Sequence, residues 1–279
     1  MRLPFGMTGV VLLAMALTGG TASAVPAPVG NIPHLAWGAG WQSVIFLSNT
    51  GTADASIIVR TYDDTGAAIS VPWTTIFNGP SGQAGNPVPT LQFVLRAGAL
   101  AVISASNDIT QGTAWAQILS DVPGIKGGVD FKYASGGVNG EGMVMYDQGT
   151  TRVWDMLLFA EQGAYGCDNS YEFTSYAIAN TTSAPVTFTR AINNRISGQL
   201  EYQDQITLPA YGHMAFIATD LVKQPDRGNG PPVTGVWMLR LTAPAAGQIA
   251  PLSLHFRQNI SNCATGALVF ESLPSWPIQ

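Results

Sequence analysis

From residue 40 onward the chain alternates short apolar-rich runs with clusters of Gly, Pro, Asn, Asp and Ser. The runs include "SVIFLSN", "ASIIVRTY", "LQFVLR", "ALAVISA", "AWAQILS", "VDFKYA", "GMVMYD" and "VWDMLLF". In "VDFKYA", Val129, Phe131 and Tyr133 point one way while Asp130 and Lys132 point the other, the period of a half-buried strand. Between the runs lie "NTGTAD", "DDTG", "RAG" and "DVPGIKGG", whose residues tolerate positive φ or bond their own backbone. No convincing apolar stretch of helical period follows the N-terminal segment. The pattern predicts an all-β protein.

Two phrases echo each other: "FLSNTGTADASIIVRTY" (46–62) and "YAIANTTSAPVTFTRAI" (176–192). Asn49-Thr50 matches Asn180-Thr181, and Ser56-Ile57 matches Thr187-Phe188. Further on, "RAGALAVISA" resembles "AYGHMAFIAT", with Gly98 opposite Gly212. Next, "GTAWAQILSDVPG" resembles "TGVWMLRLTAPAAG", placing Trp115 opposite Trp237 and both in or near a core. Last, Phe131-Lys132-Tyr133 falls opposite Leu254-His255-Phe256. Four matches in one order predict a degenerate internal repeat, the alternative being chance likeness between β-rich strings. The first repeat carries extra residues, and "FNGPSGQAGNPVP" (77–89) has the composition of an inserted surface loop. About seven strands in roughly 110 residues per repeat is the size of a small sandwich. Between the repeats, Trp154, Met156, Leu157, Leu158 and Phe159 are too apolar for a free tether and are expected to be buried.

The N-terminal segment "MRLPFGMTGVVLLAMALTGGTASA" has a thin basic start at Arg2, an apolar run from about Met7 to Leu17, and the small residues Ala22-Ser23-Ala24 before Val25. This is the form of a secretory signal peptide cleaved after Ala24. The run is short of the roughly 20 residues a transmembrane anchor needs. The expected organisation is residues 1–24 as leader, 25–145 as the first sandwich domain and 146–279 as the second. After export the destination is open among the periplasm, the cell surface and the medium.

Composition narrows the partners. Only 10% of residues are charged, with 12 Lys+Arg against 17 Asp+Glu, well below the roughly 25% usual for globular domains. No basic cluster is available to displace phosphate counterions, which argues against nucleic acid and against acidic lipid surfaces. The two cysteines, Cys167 and Cys263, are expected as a disulfide in an oxidising compartment, with a buried pair of free thiols as the alternative.

Candidate chemistry is sparse. Asp64-Thr65-Gly66 has the form of an aspartic protease loop, but that chemistry needs a second carboxylate, and the matching turn reads "INNRISG". Asp-Asp-Thr-Gly is also ordinary turn chemistry. His34, His213 and His255 lie in separate segments without metal-ligand spacing. His213 is expected as a satisfied structural histidine, and His255, in the strand phase of Lys132, as solvent-facing. There is no Gly-x-Ser-x-Gly elbow, no Gly-x-Gly-x-x-Gly and no Walker loop, so no catalytic residue, metal or cofactor is assigned. Trp37, Trp41 and Trp73 are the candidate ligand-facing aromatics, able to stack on sugar faces or to cover a sheet edge. Asn180 and Asn259 head formal N-glycosylation sequons.

The stretches "IPHLAWGAGWQSVIFLSNTGTADASIIVRTYDDTGAAI", "LRAGALAVISA", "TAWAQILSD", "YAIANTTSAPVTF", "LPAYGHMAF" and "IAPLSLHFRQ" cover most of the mature chain. Together they resemble a repeated module in secreted proteins of Acidobacteria and other environmental bacteria, uncharacterised proteins built from tandem immunoglobulin-like β-sandwiches. The resemblance implies that fold and supplies no catalytic residues. Cys167, Cys263 and the 77–89 loop are departures from it. The leading expectation is a secreted, non-enzymatic cell-envelope or extracellular protein that mediates adhesion or subunit assembly with other proteins or with copies of itself. The alternatives are a carbohydrate-binding protein meeting surface glycans and a secreted hydrolase whose residues converge from distant loops.

Overall fold

A computed structural model describes residues 24–77, 87–106, 110–135, 138–146, 149–162, 170–194, 197–217, 235–259, 267–272 and 275–278. All but the last residue of the expected leader and most of the inserted loop lie outside these residues. The strands of the first half are β1 (Ala27–Trp37), β2 (Trp41–Asn49), β3 (Ala55–Tyr62), β4 (Trp73–Phe77), β5 (Thr90–Leu95), β6 (Leu100–Ser106), β7 (Gly112–Ser120), β8 (Ile125–Ser135) and β9 (Val138–Met145). Those of the second half are β10 (Val153–Gln162), β11 (Ser170–Asn180), β12 (Val186–Asn194), β13 (Leu200–Leu208), β14 (His213–Ile217), β15 (Gly235–Thr242), β16 (Ile249–Asn259), β17 (Ala267–Ser272) and β18 (Ser275–Ile278). The fold is all-β, with several antiparallel sheets in a β-sandwich-type architecture. Among the described residues no helix is long and apolar enough to cross a membrane.

The strands form where apolar residues alternate. β3 buries Ala55, Ile57, Val59 and Thr61 on one face, and β12 buries Val186, Phe188, Arg190 and Ile192. The first half makes a four-stranded sheet, β1-β7-β3-β5, and a five-stranded one, β4-β6-β2-β8-β9. Their inner faces share a core that includes Ile45, Leu47, Ile57, Leu91, Ile103 and Phe131. The second half forms one nine-stranded sheet with the path β13-β12-β15-β10-β11-β16-β17, to which β14 adds on β11 and β18 on β10. Within it the order β10-β15-β12-β13 repeats β1-β7-β3-β5, and β14-β11-β16-β17 repeats β6-β2-β8-β9. The internal repeat is thus a repeat of pairing topology. Trp154, Met156 and Leu158 join the second core, whereas Leu157 is only half-buried. The side chain of Phe159 lies outside the description.

Three of the sequence matches shift by one residue. Asn49 faces Ile125, and Asn180 faces Ile249. Counting along from these pairs sets Ser43 opposite Phe131 and Thr174 opposite His255. His255 therefore takes the place of Phe131 and is buried, not solvent-facing. In a strand of period two, a slip of one residue moves a side chain to the other face.

At the next turn, the N–H of Asn49 donates to Ala99 O (3.0 Å) and that of Asn180 to Gly212 O (2.8 Å). Gly98 thus corresponds to Tyr211, and both have positive φ, 71° and 55°. Trp115 and Trp237 are both buried but face opposite ways. Trp237 lies in the second core, while Ala114, Ala116 and Ile118 fill the first core and Trp115 points outward to the second half.

The disulfide expectation is corrected. No disulfide occurs among the described residues, and Cys167 and Cys263 both lie outside them. What joins the halves on view is packing and hydrogen bonding: Leu252 and Leu254 of β16 enter the first core.

Candidate functional site

Two turns meet where the halves touch. In the first, Asp63 Oδ1 accepts from the Thr65 N–H (2.8 Å), the Thr65 hydroxyl (2.7 Å) and the Ala67 N–H (3.0 Å), and Gly66 sits at φ 85°. Asp-Asp-Thr-Gly is therefore a turn built on Asp63, and Asp64 is left to point across the junction. Its partner is a histidine rather than a second carboxylate, so the pairing required for aspartic protease chemistry is not what Asp64 makes. Asp64 Oδ1 lies 2.7 Å from His213 Nδ1, and its backbone carbonyl accepts the His213 N–H at 3.2 Å.

The second turn, residues 209–213, carries Tyr211 in the left-handed region, where a large side chain is uncommon. Stacking on Tyr62, at 4.8 Å and 9° between ring planes, holds it there. The Tyr211 carbonyl also accepts from Trp115 Nε1 at 2.6 Å. Gln117 Nε2 adds a bond to Thr181 O at 3.3 Å.

His34 completes the group. Opposite β7, β1 runs from Ile32, facing Ala116, to Leu35, facing Ala114, so Pro33 and His34 together oppose the single residue 115. Proline has no N–H for the ladder, and a bulge re-aims the residue beside it. His34 Nδ1 thereby comes within 3.3 Å of His213 Nε2, with the rings stacked at 5.3 Å. The result is a chain from surface to interior: Asp64, whose side chain is 65% exposed, then His213 at 1%, then His34.

Burial, with His213 adding and Asp64 opposing, pushes His34 down to about 3. The hydrogen bond from His213 holds the Asp64 carboxyl below its usual range, against the effect of its own burial. Such a chain can orient imidazoles and pass a proton. Among the described residues neither ring has a Ser, Thr or Cys partner, and no group of three or more His, Cys, Asp or Glu side chains is placed to hold a metal ion.

His34 borders a partly open cavity of about 160 Å³ to which both halves contribute, including Trp41, Phe131, Tyr176 and Leu252. Of the three candidate aromatics, only Trp41 reaches it. Trp37 is 5% exposed and packed over Gly112, and Trp73 is wholly buried in the first core. Both serve as core. Trp41 is tilted 52° to Tyr133, so the pair does not make a flat platform for a sugar face. The chain His34–His213–Asp64 escapes a reading by spacing because its members come from three distant segments. The proline within the strand-like "NIPHLAW" is the one local signal of the bulge.

Gly66 tests this junction. A Cβ there would lie 1.8 Å from Ala210 O, at a φ that side chains rarely adopt. Gly66→Ala should cost about 1–3 kcal/mol from backbone strain and separate Asp64 from His213, seen as a lost low-field imidazole N–H signal in proton NMR. Gly198→Ala is the control: its φ is 69°, but nothing lies within 4 Å of the new Cβ. It should keep that signal.

No protein-family model matches the chain, and a search of curated proteins returns no significant match.

Proposed function

We propose that the chain is a secreted, non-enzymatic cell-envelope or extracellular protein whose two tandem immunoglobulin-like sandwiches, of the kind repeated in secreted proteins of environmental bacteria, mediate adhesion or subunit assembly. One observation carries this reading: β5 and β13, equivalent strands of the two halves, both end their sheets, and no strand among the described residues pairs with their outer sides. An open edge is a template for strand addition from another chain. β13 is nine residues long and exposed along most of its length, with Leu200 at 56% and Tyr202 at 36%. On β5, Val94 is 51% exposed. The leader-like N-terminus and the scarcity of charge agree with a surface role.

Light scattering after size exclusion, on the mature chain over a wide concentration range, tests the proposal. Growth into oligomers is expected, and Gln203→Lys with Gln205→Lys on β13 should suppress it by adding like charges along the edge. A strict monomer at high concentration that also fails to bind cell surfaces would overturn the proposal.

A further inference from the structure

The cavity beside His34 has a defined polar pole. An ionised carboxylate only accepts, so Asp64 fixes the proton of His213 on Nδ1. With one proton per ring, His213 Nε2 then accepts from His34 Nδ1–H, and His34 Nε2 is left as a bare lone pair. Both intermediate contacts are within reach, at 2.7 and 3.3 Å. His34 sits deep in the protein yet keeps part of its surface, because that surface borders the cavity. Among the described residues its Nε2 has no partner. Trp41, Phe131, Leu252 and Leu254 supply the larger apolar part of the remaining walls, and Gln111, Thr113 and Ser175 add polar groups.

Size sets the ligand class. An apolar protein cavity of about 150 Å³ takes a benzene ring, and this cavity is about 160 Å³. We propose that the junction between the halves binds a small ring-sized organic molecule bearing one hydroxyl or N–H, which donates a hydrogen bond to His34 Nε2 while its apolar body packs against Trp41, Phe131 and Leu252. A carboxylate or phosphate is disfavoured, since it would bring an acceptor to an acceptor. The site is independent of the sheet edges proposed for assembly.

Phenol and anisole separate this proposal from nonspecific packing, because they share a ring and only phenol donates. Calorimetric titration of the full mature chain should give phenol roughly tenfold tighter binding than anisole, the worth of one hydrogen bond. In histidine-detected ¹⁵N NMR, phenol should move the His34 Nε2 resonance upfield as its lone pair accepts. His34→Leu should erase the preference for phenol. Equal affinities, no binding to the folded chain, or an unmoved Nε2 resonance would each overturn the proposal. If His34→Leu does not fold, the wild-type resonance decides. Because that readout is local to His34, it holds whether or not the chain assembles.

Discussion

Arg190→Ala should destabilise the folded chain by about 3–5 kcal/mol, the usual cost of removing one partner of a buried ion pair. Arg190 lies on β12 between Phe188 and Ile192, on the face that builds the second core, and is only 6% exposed. Its Nε donates to Asp204 Oδ1 at 2.9 Å, and its Nη2 pairs with Asp204 Oδ2. Nη1 reaches the Tyr176 hydroxyl at 3.1 Å, and the guanidinium lies 5.0 Å from the centre of the Phe216 ring. Alanine would leave the Asp204 carboxylate with the Tyr202 hydroxyl at 2.7 Å as its remaining named partner. It would also open a space beneath Phe216.

The pair also sets a pH response. Burial raises the Asp204 pKa, but the bonds from Arg190 and Tyr202 outweigh it and hold the carboxyl below its ordinary 3.8. A carboxyl depressed in the folded state contributes stability above its unfolded pKa and loses it as pH falls through the folded value. Wild type should therefore lose this contribution below about pH 4, and Arg190→Ala should lose little more on acidification. Arg190→Met with Asp204→Leu should recover most of the loss, since apolar replacement of both partners is often neutral. Urea unfolding at neutral and acid pH measures all three proteins. A loss below about 1 kcal/mol for Arg190→Ala, the worth of a surface pair, would show that the pair is solvated and carries little of the fold.

Asn49→Ala and Asn180→Ala should each cost about 2–4 kcal/mol, because each strands more than one buried backbone group. Both side chains are wholly buried. Asn49 Nδ2 donates to Ala53 O (2.8 Å) and Leu95 O (3.0 Å), and Asn49 Oδ1 accepts from the Gly51 N–H (2.9 Å). Asn180 repeats this with Ala184 O (2.8 Å), Pro209 O (2.7 Å) and the Thr182 N–H (2.9 Å). Asn49 fastens the turn after β2 to the end of β5 in the facing sheet, and Asn180 fastens the turn after β11 to the end of β13, a non-neighbouring strand of its own sheet. Its burial also closes the Asn180 sequon to glycosylation of the folded chain. Aspartate at either position should do no better than alanine, because it retains the acceptor but turns the donor into a charge facing carbonyl oxygens. Matching geometry predicts matching losses in chemical unfolding, and distant sites should add in the double mutant within about 0.5 kcal/mol. A cheap substitution at one site and a costly one at the other would mean that the two turns do different work.

Much of this molecule is local and therefore legible. Alternation in "VDFKYA" and the apolar-rich run "ASIIVRTY" placed strands, because a sheet with one buried face imposes a period of two on its sequence. The Asn-led turns were legible as a repeat because a buried amide that satisfies three backbone groups admits few substitutes. Arg190 left a visible trace as well: a charge in the apolar phase of a strand marks a buried partner, though not which one. Phase between the repeats was not legible. Matching Gly with Gly and Trp with Trp follows residue identity, and setting Lys132 against His255 follows polar character, whereas the ladder conserves hydrogen-bond position. Tyr211 takes the left-handed place of Gly98 because its stack on Tyr62 and the bond to its carbonyl offset the strain.

The sequence by itself determined the all-β class, the turns and the order of the repeated elements, each of which depends on neighbours along the chain. The tertiary structure alone decided which face His255 and Trp115 occupy, that Trp37 and Trp73 are core, and that Asp64, His213 and His34 form one chain beside a cavity. Those outcomes depend on contacts between residues up to 179 positions apart. No local pattern encodes them, because periodicity fixes only the face a side chain takes within its own strand, while the packing of one sheet on another selects its partner.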